Sequence, residues 1–576
     1  MKDSLVSIDR IIRQNLLVES KSRNRIYFWL GLSIAIAAVY ALMAMQQGFS
    51  QEYVIQEDAR QHVFWLQKFA DRELFRNDLI ADYFQSTAPP GYVALYRLVI
   101  WLGLSPIFFS KLLPLALSIV AAGYCFGICY EIFPLPFAGF VTATILSQNL
   151  WIGDEIVSGT PRAFLYPLLL TFLYYFLRQQ RLVCLLILGL QCLFYPTTAL
   201  ICCGLVSVSL LKPSGRFPYI SKDKSDYLFW VSCLVTVGIL LLPSVLSTSE
   251  FGPVVSAEQA KLMPEFQENG RNAFFVSGIK NWIIHGRRGF FSYVFLTPVT
   301  LVFGLFLPFI LKSPKTFPLV TKVNAKVRVL GQILFASATL FFLAHLFLFK
   351  LYLPSRYSSH SWRIIIAIAS GIVAVVLLDK LLDWIAKEKK TILAIAGAIL
   401  VGLWGIVIFA YPIFLKKFPT TFYTVGKETE LYEFFDRQPK DILIASLAKE
   451  TNNISSFTGR SVLISPEHGN AYHLGYYRQF RQRVIDLIEA HYSLDKSVVN
   501  SFVDKYNITH WAIEKNSFKT KYLQNRKWFE QFEPYITKAV SNLNSESKPI
   551  LERAIDNCKV LETKKFIVLD ARCDRQ

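Results

Sequence analysis

The first residues able to do chemistry form the motif QEDARQHVFW, which begins at position 56. Asp58 and His62 are four residues apart, so a helix over 59–69 would carry both on one face, with Arg60 beside them. A carboxylate held next to an apolar stretch can act as a general base for a hydroxyl group. An acid at the start of a helix is also a common N-cap, so two interpretations of Asp58 stay open. Glu57 is a further candidate for the same site.

The second acidic motif, NLWIGDEIVSGTPRAF, begins at position 149. Asp154 and Glu155 form a turn between two apolar stretches, where an unpaired charge is costly. A salt bridge from Asp154 to Arg162 would close this turn. Alternatively, Asp154 or Glu155 converges with Asp58, and the acids then supply a general base or bind a divalent cation such as Mg²⁺ or Mn²⁺. The sequence leaves the need for a metal open; Asp58 and Asp154 would be its ligands.

Basic side chains at the ends of later apolar stretches form a third group of candidates. Arginine can hold a phosphate through two parallel hydrogen bonds. The alternative is that these side chains reach out to lipid headgroups as membrane anchors. The candidate substrate-binding residues of this group are His285, Arg287, Arg288, Arg356, Tyr357 and His360. In the two acidic motifs, Arg60, His62 and Arg162 are further candidates for substrate binding.

The composition indicates what kind of protein must position these groups. Of the 576 residues, 53% are hydrophobic and 15% aromatic, and the mean hydropathy is +0.36. Several stretches of about 20 residues carry almost no charge, which is the length a helix needs to cross a bilayer. A disordered chain, a soluble globular protein and a disulfide scaffold are excluded, and a polytopic α-helical membrane protein is predicted.

The formal charge of +19 is distributed as in a membrane protein. Residues 416–576 hold 25 basic and 20 acidic side chains, so most of the excess lies in short loops between apolar stretches. This distribution follows the positive-inside rule and argues against binding to nucleic acid.

The basic clusters predict about eleven spans, a cytoplasmic N-terminus and an extracytoplasmic C-terminus in a plasma (inner) membrane. The apolar run at 92–104 is too short for a span and fits an interfacial or re-entrant helix, and Pro196 divides 182–211 into a hairpin. The predicted spans are 26–46, 107–131, 136–152, 162–177, 182–195, 197–211, 226–246, 291–311, 329–349, 363–385 and 392–415.

Three parts follow from this topology: a cytoplasmic segment 1–25, a transmembrane domain 26–415 and an outer domain 416–576. Two long outer loops, 47–90 and 247–290, belong to the second part. Four short β-like runs in the outer domain predict a small α/β fold: 441–446, 461–465, 511–513 and 566–570. Cys558 and Cys573 lie in the same domain and can pair if it faces an oxidising compartment.

The order of these parts resembles that of the GT-C superfamily of membrane glycosyltransferases. That group includes protein O-mannosyltransferases, the lipid A aminoarabinose transferase and the catalytic subunit of oligosaccharyltransferases. The resemblance is carried by QEDARQHVFW after the first span, by APPGYVALYRLVIWLGLS from position 88, and by NLWIGDEIVSGTPRAF. The WWDYG motif with which oligosaccharyltransferases recognise sequons is absent, so neither asparagine glycosylation nor the metal requirement of that subfamily is implied.

The resemblance also implies roles for particular residues and substrates. The donor would be a polyprenyl-phosphate-linked sugar, and the acceptor a glycan, lipid or protein of the cell envelope. Membrane lipids would surround the chain. A transporter or flippase of a lipid-linked glycan, or a non-catalytic subunit of envelope assembly, are the alternatives. The implied acids are Asp58 with Glu57 in the first outer loop and Asp154 with Glu155 in the second, and the implied phosphate-binding residues are Arg288 and Arg356.

Overall fold

The computed structural model describes residues 13–17, 22–212, 219–246, 250–284, 286–291, 295–388 and 390–573, and helices dominate its first 415 residues. In chain order these helices are α1 (Arg23–Gly48), α2 (Ala59–His62), α3 (Leu79–Ser86), α4 (Pro90–Trp101), α5 (Pro106–Ile132), α6 (Pro136–Ile152), α7 (Leu165–Leu177), α8 (Arg181–Phe194), α9 (Pro196–Ser209), α10 (Lys224–Leu246), α11 (Ala257–Leu262), α12 (Ile279–Ile283), α13 (Leu307–Leu311), α14 (Arg328–Leu346), α15 (Ser355–Lys387) and α16 (Thr391–Phe409).

Within the described ranges, six helices are long and apolar enough to cross a membrane: α1, α5, α10, α14, α15 and α16. The chain is therefore a multi-pass membrane protein. The other predicted spans also coincide with helical segments, and 291–311 becomes a 3₁₀ helix (Val299–Phe306) that continues into α13. How many of these segments cross the bilayer stays a prediction.

Two boundaries differ from the sequence-based expectation, and both affect the candidate site. The helix expected over 59–69 ends at His62, because Val63 leaves the α-helical range with φ −113° and a 3₁₀ helix (Phe64–Phe69) follows. Helix α15 begins at Ser355 instead of near 363, directly after Pro354. Arg356 and His360 therefore lie in the first turns of a long helix and not in a loop.

The C-terminal segment, residues 416–573, contains a mixed five-stranded sheet in the order β6-β5-β7-β9-β8. Each of its four predicted β-like runs overlaps a strand, whereas the short edge strand at Lys559–Glu562 was not predicted. Cys558 and Cys573 form a disulfide, a pairing that the sequence left open. The strands of the chain are β1 (Val54–Gln56), β2 (Leu211–Lys212), β3 (Tyr219–Ile220), β4 (Tyr423–Val425), β5 (Leu443–Ala445), β6 (Ser461–Val462), β7 (His510–Glu514), β8 (Lys559–Glu562) and β9 (Phe566–Asp570).

Seven helices accompany these strands in the C-terminal segment, and the described contacts tie the segment to the first outer loop. Strand β1 pairs with β4 in antiparallel register, with Ile55 opposite Thr424. The helices are α17 (Thr429–Asp436), α18 (Thr451–Thr458), α19 (Leu474–His491), α20 (Lys496–Tyr506), α21 (Thr520–Gln524), α22 (Tyr535–Leu543) and α23 (Ile550–Cys558).

The buried centre of the helical part is α6, whose residues Pro136–Trp151 are all buried. Helix α15 packs against it in the opposite direction, and the two helices approach closely at Gly371. A Cβ at Gly371 would lie 1.9 Å from Thr142 Oγ1, so only glycine fits there. This packing brings the turn after α6 to the start of α15, which is where the acidic and basic candidates lie.

Candidate functional site

Asp58 lies between strand β1 and helix α2, and its carboxylate points to the second acidic motif. In the described part of the chain, its side chain makes no capping hydrogen bond. Gln56 supplies the cap instead, because its Oε1 accepts hydrogen bonds from the backbone N–H groups of Asp58, at 2.7 Å, and Ala59, at 3.2 Å. Asp58 therefore occupies the N-cap position without capping the helix through its side chain, and its carboxylate contacts Arg162 instead.

Arg162 joins the two acidic motifs. It belongs to a 3₁₀ helix (Pro161–Phe164), and its Nη2 lies 2.7 Å from Asp58 Oδ2 and 3.4 Å from Asp154 Oδ2. The same nitrogen donates to the Asp154 carbonyl at 2.8 Å. Because both carboxylates contact this one nitrogen, Asp58 and Asp154 lie close to each other. Both interpretations of Asp154 hold together: it closes the turn with Arg162, and it converges with Asp58.

The turn that carries Asp154 has an unusual backbone. Asp154 has φ +56°, in the left-handed region that non-glycine residues seldom occupy. Gln56 Nε2 donates to the same carboxylate at 3.4 Å. Asp154 is thus fixed by side chains from both motifs, which is typical of a residue held in place for a function.

Asp58 and Asp154 have different pKa values because their environments differ. Burial raises the pKa of Asp58, but the neighbouring positive charge, chiefly that of the Arg162 guanidinium, outweighs it, so the net pKa lies below the usual range. Burial raises the pKa of Asp154 well above its usual value, with Arg162 opposing this and Asp58 adding to it. Asp58 is therefore the ionised member of the pair, and its side chain, 36% exposed, is the one open to a substrate.

Glu155 forms a second cluster with the first turns of α15. Its Oε1 accepts from Arg363 Nη2 at 2.9 Å, and its Oε2 lies 3.3 Å from His360 Nδ1. Burial raises the pKa of Glu155, but Arg363 and His360 together hold it well below its usual range. Glu155 is therefore a buried, ionised anchor for α15 rather than a solvent-facing acid.

His360 connects Glu155 to Arg356, one turn earlier on the same helix face. Arg356 Nη1 lies 3.5 Å from His360 Nε2, and Tyr166 Oη lies 3.0 Å from His360 Nδ1. Because an arginine can only donate, Nε2 must accept, and the proton is then on Nδ1, where it faces Glu155. The chain from Glu155 through His360 orients the Arg356 guanidinium.

His62 is the third predicted member of the first motif that stays near the acids. Burial lowers its pKa, and the neighbouring Asp58 opposes this. Its ring packs edge-on against Phe84, with 5.9 Å between the ring centres. His62 is therefore a mostly neutral imidazole beside the ionised Asp58.

The other two members of the first motif lie away from the acid cluster. Glu57 has a side chain that is 50% exposed. Arg60 is buried, and it donates to Asn453 Oδ1 at 3.0 Å and lies 3.7 Å from Glu467. The prediction that Arg60 binds substrate gives way to a structural role, because its charge is used to dock the C-terminal segment.

Several basic candidates are also placed elsewhere. Arg287 Nη1 donates to the carbonyl of Arg271 at 3.2 Å, and the Tyr357 hydroxyl donates to the carbonyl of Leu351 at 2.8 Å, so both side chains fix nearby backbone segments. Across the described ranges, Arg288 makes no ion pair with any of the acids discussed above. His285 lies outside the described residues.

Sequence reasoning missed three members of the site. Arg363 is absent from the substrate-binding candidates named above, and so are Gln56 and Tyr166. A signal for Arg363 was present in the spacing of Arg356, His360 and Arg363, which is i, i+4, i+7 and places all three on one helix face. Gln56 and Tyr166 had no such signal, because their contacts are made between distant segments.

The acids do not fit a divalent cation as they are arranged. Mg²⁺ and Mn²⁺ need several oxygen ligands that converge on one point. Here the Arg162 guanidinium lies between Asp58 and Asp154, and Arg363 occupies Glu155. Among the residues that the structure describes, no group of three or more His, Cys, Asp or Glu side chains is placed to hold a metal ion.

Comparison with solved structures shows the fold. Neither a protein-family model nor a curated protein matches the chain. The oligosaccharyltransferase of Archaeoglobus fulgidus in its apo form aligns with a TM-score of 0.54 and 12% identity, over 88% of this chain and 72% of that chain. The oligosaccharyltransferase AglB from the same organism, in complex with an inhibitory peptide and a dolichol-phosphate, aligns with a TM-score of 0.53 and 13% identity, over 90% of this chain and 72% of that chain. The chain therefore has a GT-C-like fold, as the sequence resemblance implied.

Proposed function

We propose that this chain is a membrane glycosyltransferase that transfers a sugar from a polyprenyl-phosphate-linked donor to a cell-envelope acceptor. The observation that carries the proposal is the convergence of Asp58 and Asp154 on Arg162, beside Arg356, at one end of a GT-C-like helical bundle. This arrangement offers an ionised, partly exposed base and a guanidinium for a phosphate. Both are groups that sugar transfer from a lipid phosphate requires.

Asp58 is the proposed general base. Its pKa is held low, chiefly by Arg162 against the effect of burial, so it is ionised at neutral pH. It takes the proton of the acceptor hydroxyl as the hydroxyl oxygen bonds to the anomeric carbon of the sugar. The bond between that carbon and the phosphate oxygen breaks, and the phosphate leaves with both bonding electrons. Asp154 and Arg162 position Asp58 for this step.

Arg356 is the proposed phosphate-binding residue. Within the described ranges its buried Nε has no hydrogen-bond partner, and its Nη1 makes only the long contact to His360. A guanidinium with unused donors can hold a phosphate through two parallel hydrogen bonds. The added negative charge of the leaving phosphate is then stabilised by the same group.

One of the similar archaeal structures supports a lipid-phosphate donor. AglB was solved with a dolichol-phosphate, a lipid of the same chemical class as the proposed donor. A second structure of that oligosaccharyltransferase carries an acceptor peptide with the NVT sequon. The absence of the WWDYG motif from this chain favours an acceptor other than a sequon peptide.

The topology of the proposal follows from the sequence. We place the acid cluster and the segment 416–576 on the outer face of the plasma membrane, and the N-terminus in the cytoplasm. The boundaries 1–25, 26–415 and 416–576 are part of the proposal. The β1–β4 pairing means that the outer segment is held against the first loop, where it can cover the acceptor side of the site.

The test is sugar transfer by membranes that contain the full-length protein or its Asp58→Asn variant. The variant keeps the size of the side chain but removes the base, so transfer from a radiolabelled polyprenyl-phosphate sugar should fall at least about 100-fold. Glu57→Gln is the matched control, because it removes an adjacent but exposed acid, and it should keep most of the activity. Equal activity of wild type and Asp58→Asn at equal expression would overturn the proposal and favour transport or a structural role.

A further inference from the structure

A cavity lies at the end of the helical bundle opposite the cluster of Asp58 and Asp154. Helix α7 connects the two places: Arg162 comes just before its start, and Phe176 and Leu177, at its end, line the cavity. A helix of this length spans about 20 Å. The cavity has a volume of about 410 Å³. It is therefore separate from the site proposed above.

The rim of this cavity is strongly basic. Arg181, Lys212, Lys326 and Arg328 line it, and among the residues that the structure describes Asp226 is the one acid in its lining. Arg181 Nη2 lies 2.8 Å from Asp226 Oδ1, and Lys212 Nζ lies 2.8 Å from Asp226 Oδ2. One carboxylate therefore serves two cations, and the pair of contacts leaves a net positive charge.

The remaining cations do not remove this excess. Lys326 pairs with Glu131, which does not line the cavity and also lies 3.8 Å from Arg178 Nε. Arg328 is exposed, and across the described part of the chain it forms no ion pair. Around the cavity the basic side chains therefore outnumber the acids even when Glu131 is included, and an anion would compensate them.

The wall of the cavity is apolar. It is formed by side chains from four helices: Phe176 of α7, Val206 of α9, Phe229 of α10 and Val329 of α14. A small soluble anion would gain nothing from such a wall. A molecule with an anionic group attached to an apolar part would contact both surfaces.

The neighbouring helices expose apolar side chains beside this cavity. Leu182 of α8 is 71% exposed, and Leu228 of α10 is 70% exposed. Leu182 follows Arg181 of the rim in the sequence, and Leu228 precedes Phe229 of the wall. In a multi-pass membrane protein such surfaces face the hydrocarbon of the bilayer. An occupant of the cavity can therefore extend its apolar chains along these helices into the membrane.

We infer that this cavity binds the phosphate headgroup of an anionic membrane phospholipid. Basic pockets between membrane helices hold such headgroups on the side that carries the basic loops. The volume suits a headgroup with its glycerol, while the acyl chains remain outside. By the predicted topology the lipid belongs to the cytoplasmic leaflet, opposite the acid cluster. The inference depends on the membrane character of the chain and not on its proposed activity.

The test uses the purified full-length protein in detergent, titrated with phosphatidylglycerol or with phosphatidylcholine. Phosphatidylglycerol should raise the Tm and remain bound in native mass spectrometry, and phosphatidylcholine should do neither. Arg328→Gln should weaken phosphatidylglycerol binding about fivefold, because it removes from the cavity one of the basic groups that attract the phosphate headgroup. Arg23→Gln is the matched control: it removes an exposed arginine at the start of α1, outside the cavity, and should leave binding unchanged.

Three results would overturn the inference. The first is equal stabilisation by the two phospholipids, and the second is an equal loss of binding in Arg23→Gln and Arg328→Gln. The third is full protection by inorganic phosphate or by polyprenyl phosphate in place of phosphatidylglycerol, which would assign the cavity to another source of phosphate. If Arg328→Gln fails to fold, competition of unlabelled phosphatidylglycerol against a labelled analogue on the wild-type protein supplies the same answer.

Discussion

The Arg162 guanidinium lies 2.7 Å from the Asp58 carboxylate, and this contact joins two motifs that are about a hundred residues apart in the sequence. Because the same nitrogen also holds Asp154, Arg162 occupies the place between the acids that a cation would take. The site is thus organised by a guanidinium. Its behaviour in variants should therefore follow the chemistry of Arg162.

Replacement of Arg162 by Gln should disturb both acids at once. The variant leaves Asp154, which is buried, and Asp58 facing each other without a positive charge. Loss of one partner from a buried ion pair typically costs about 3 kcal/mol. We expect a lower Tm together with a fall in transfer activity, measured on purified protein by thermal unfolding and by the radiolabelled assay.

The double variant Arg162→Gln/Asp154→Asn isolates the cause. Asp154→Asn places a neutral amide beside Asp58 and avoids the cost that burial and the Asp58 charge impose on the Asp154 carboxyl group, so part of the lost Tm should be recovered. Strict additivity of the two single changes would show that Arg162 and Asp154 do not interact, in contradiction with the 3.4 Å contact.

The pH dependence of transfer should report the state of Asp58. Its pKa is lowered because Arg162 outweighs the effect of burial, so the base stays ionised down to mildly acidic pH. Activity, and the stability that the ion pair contributes, should be lost only as pH falls through this lowered pKa. In Arg162→Gln burial acts without that opposition, and the acidic limb of kcat/KM should move to higher pH. An unchanged limb would exclude Asp58 as the group that titrates.

The membrane character and the two acidic motifs could be predicted from the sequence because each is a local pattern. Apolar stretches of span length identify helices, and Asp154-Glu155 next to such a stretch identifies costly charges. Convergence of Asp58 with Asp154 was one of two alternatives that the sequence left open. In the structure Arg162 contacts both acids, so both alternatives hold, and no local sequence pattern could have decided between them.

The errors have physical causes as well. The start of α15 was placed too late because Arg356, His360 and Arg363 are polar, and polar residues lower the hydropathy by which a span is recognised. In the structure His360 and Arg363 contact Glu155, and Arg356 contacts His360, so the helix continues through all three. Arg60 was assigned to substrate because its partner, Asn453, is nearly four hundred residues away in the sequence.

Replacement of Arg356 should affect the KM for the donor rather than the KM for the acceptor. Arg356→Lys keeps the charge but loses the planar pair of donors, so KM for the polyprenyl-phosphate sugar should rise about tenfold. The KM for the acceptor should stay close to that of the wild type. Arg437→Gln, at a side chain that is 78% exposed on the C-terminal segment, is the control for a lost arginine. A change confined to the acceptor KM would assign Arg356 to the other substrate.

The disulfide between Cys558 and Cys573 tests where the C-terminal segment lies. The bond closes a loop with a sequence separation of 15 residues, and its removal should cost roughly 3 kcal/mol. In intact cells both thiols should resist alkylation until a reductant is added, because disulfides persist in oxidising compartments. The Cys558→Ser/Cys573→Ser variant should show a lower Tm. Alkylation of both thiols without reductant would place the segment in the cytoplasm and contradict the proposed topology.

Gly371 sets how closely α15 can approach α6, and with it the distance between Arg363 and Glu155. A Cβ at this position would lie 1.9 Å from Thr142 Oγ1 and 2.8 Å from Thr142 Cα, so Gly371→Ala must push the two helices apart. Overpacking of this kind typically costs about 1–3 kcal/mol. Gly331→Ala is the matched control, because Gly331 is also within a helix but a Cβ there meets no atom within 4 Å. We expect a lower Tm and lower transfer activity for Gly371→Ala, and an equal or slightly higher Tm for Gly331→Ala, since alanine favours helix. Equal Tm values for the two variants would show that the α6–α15 contact does not hold the two sides of the site together.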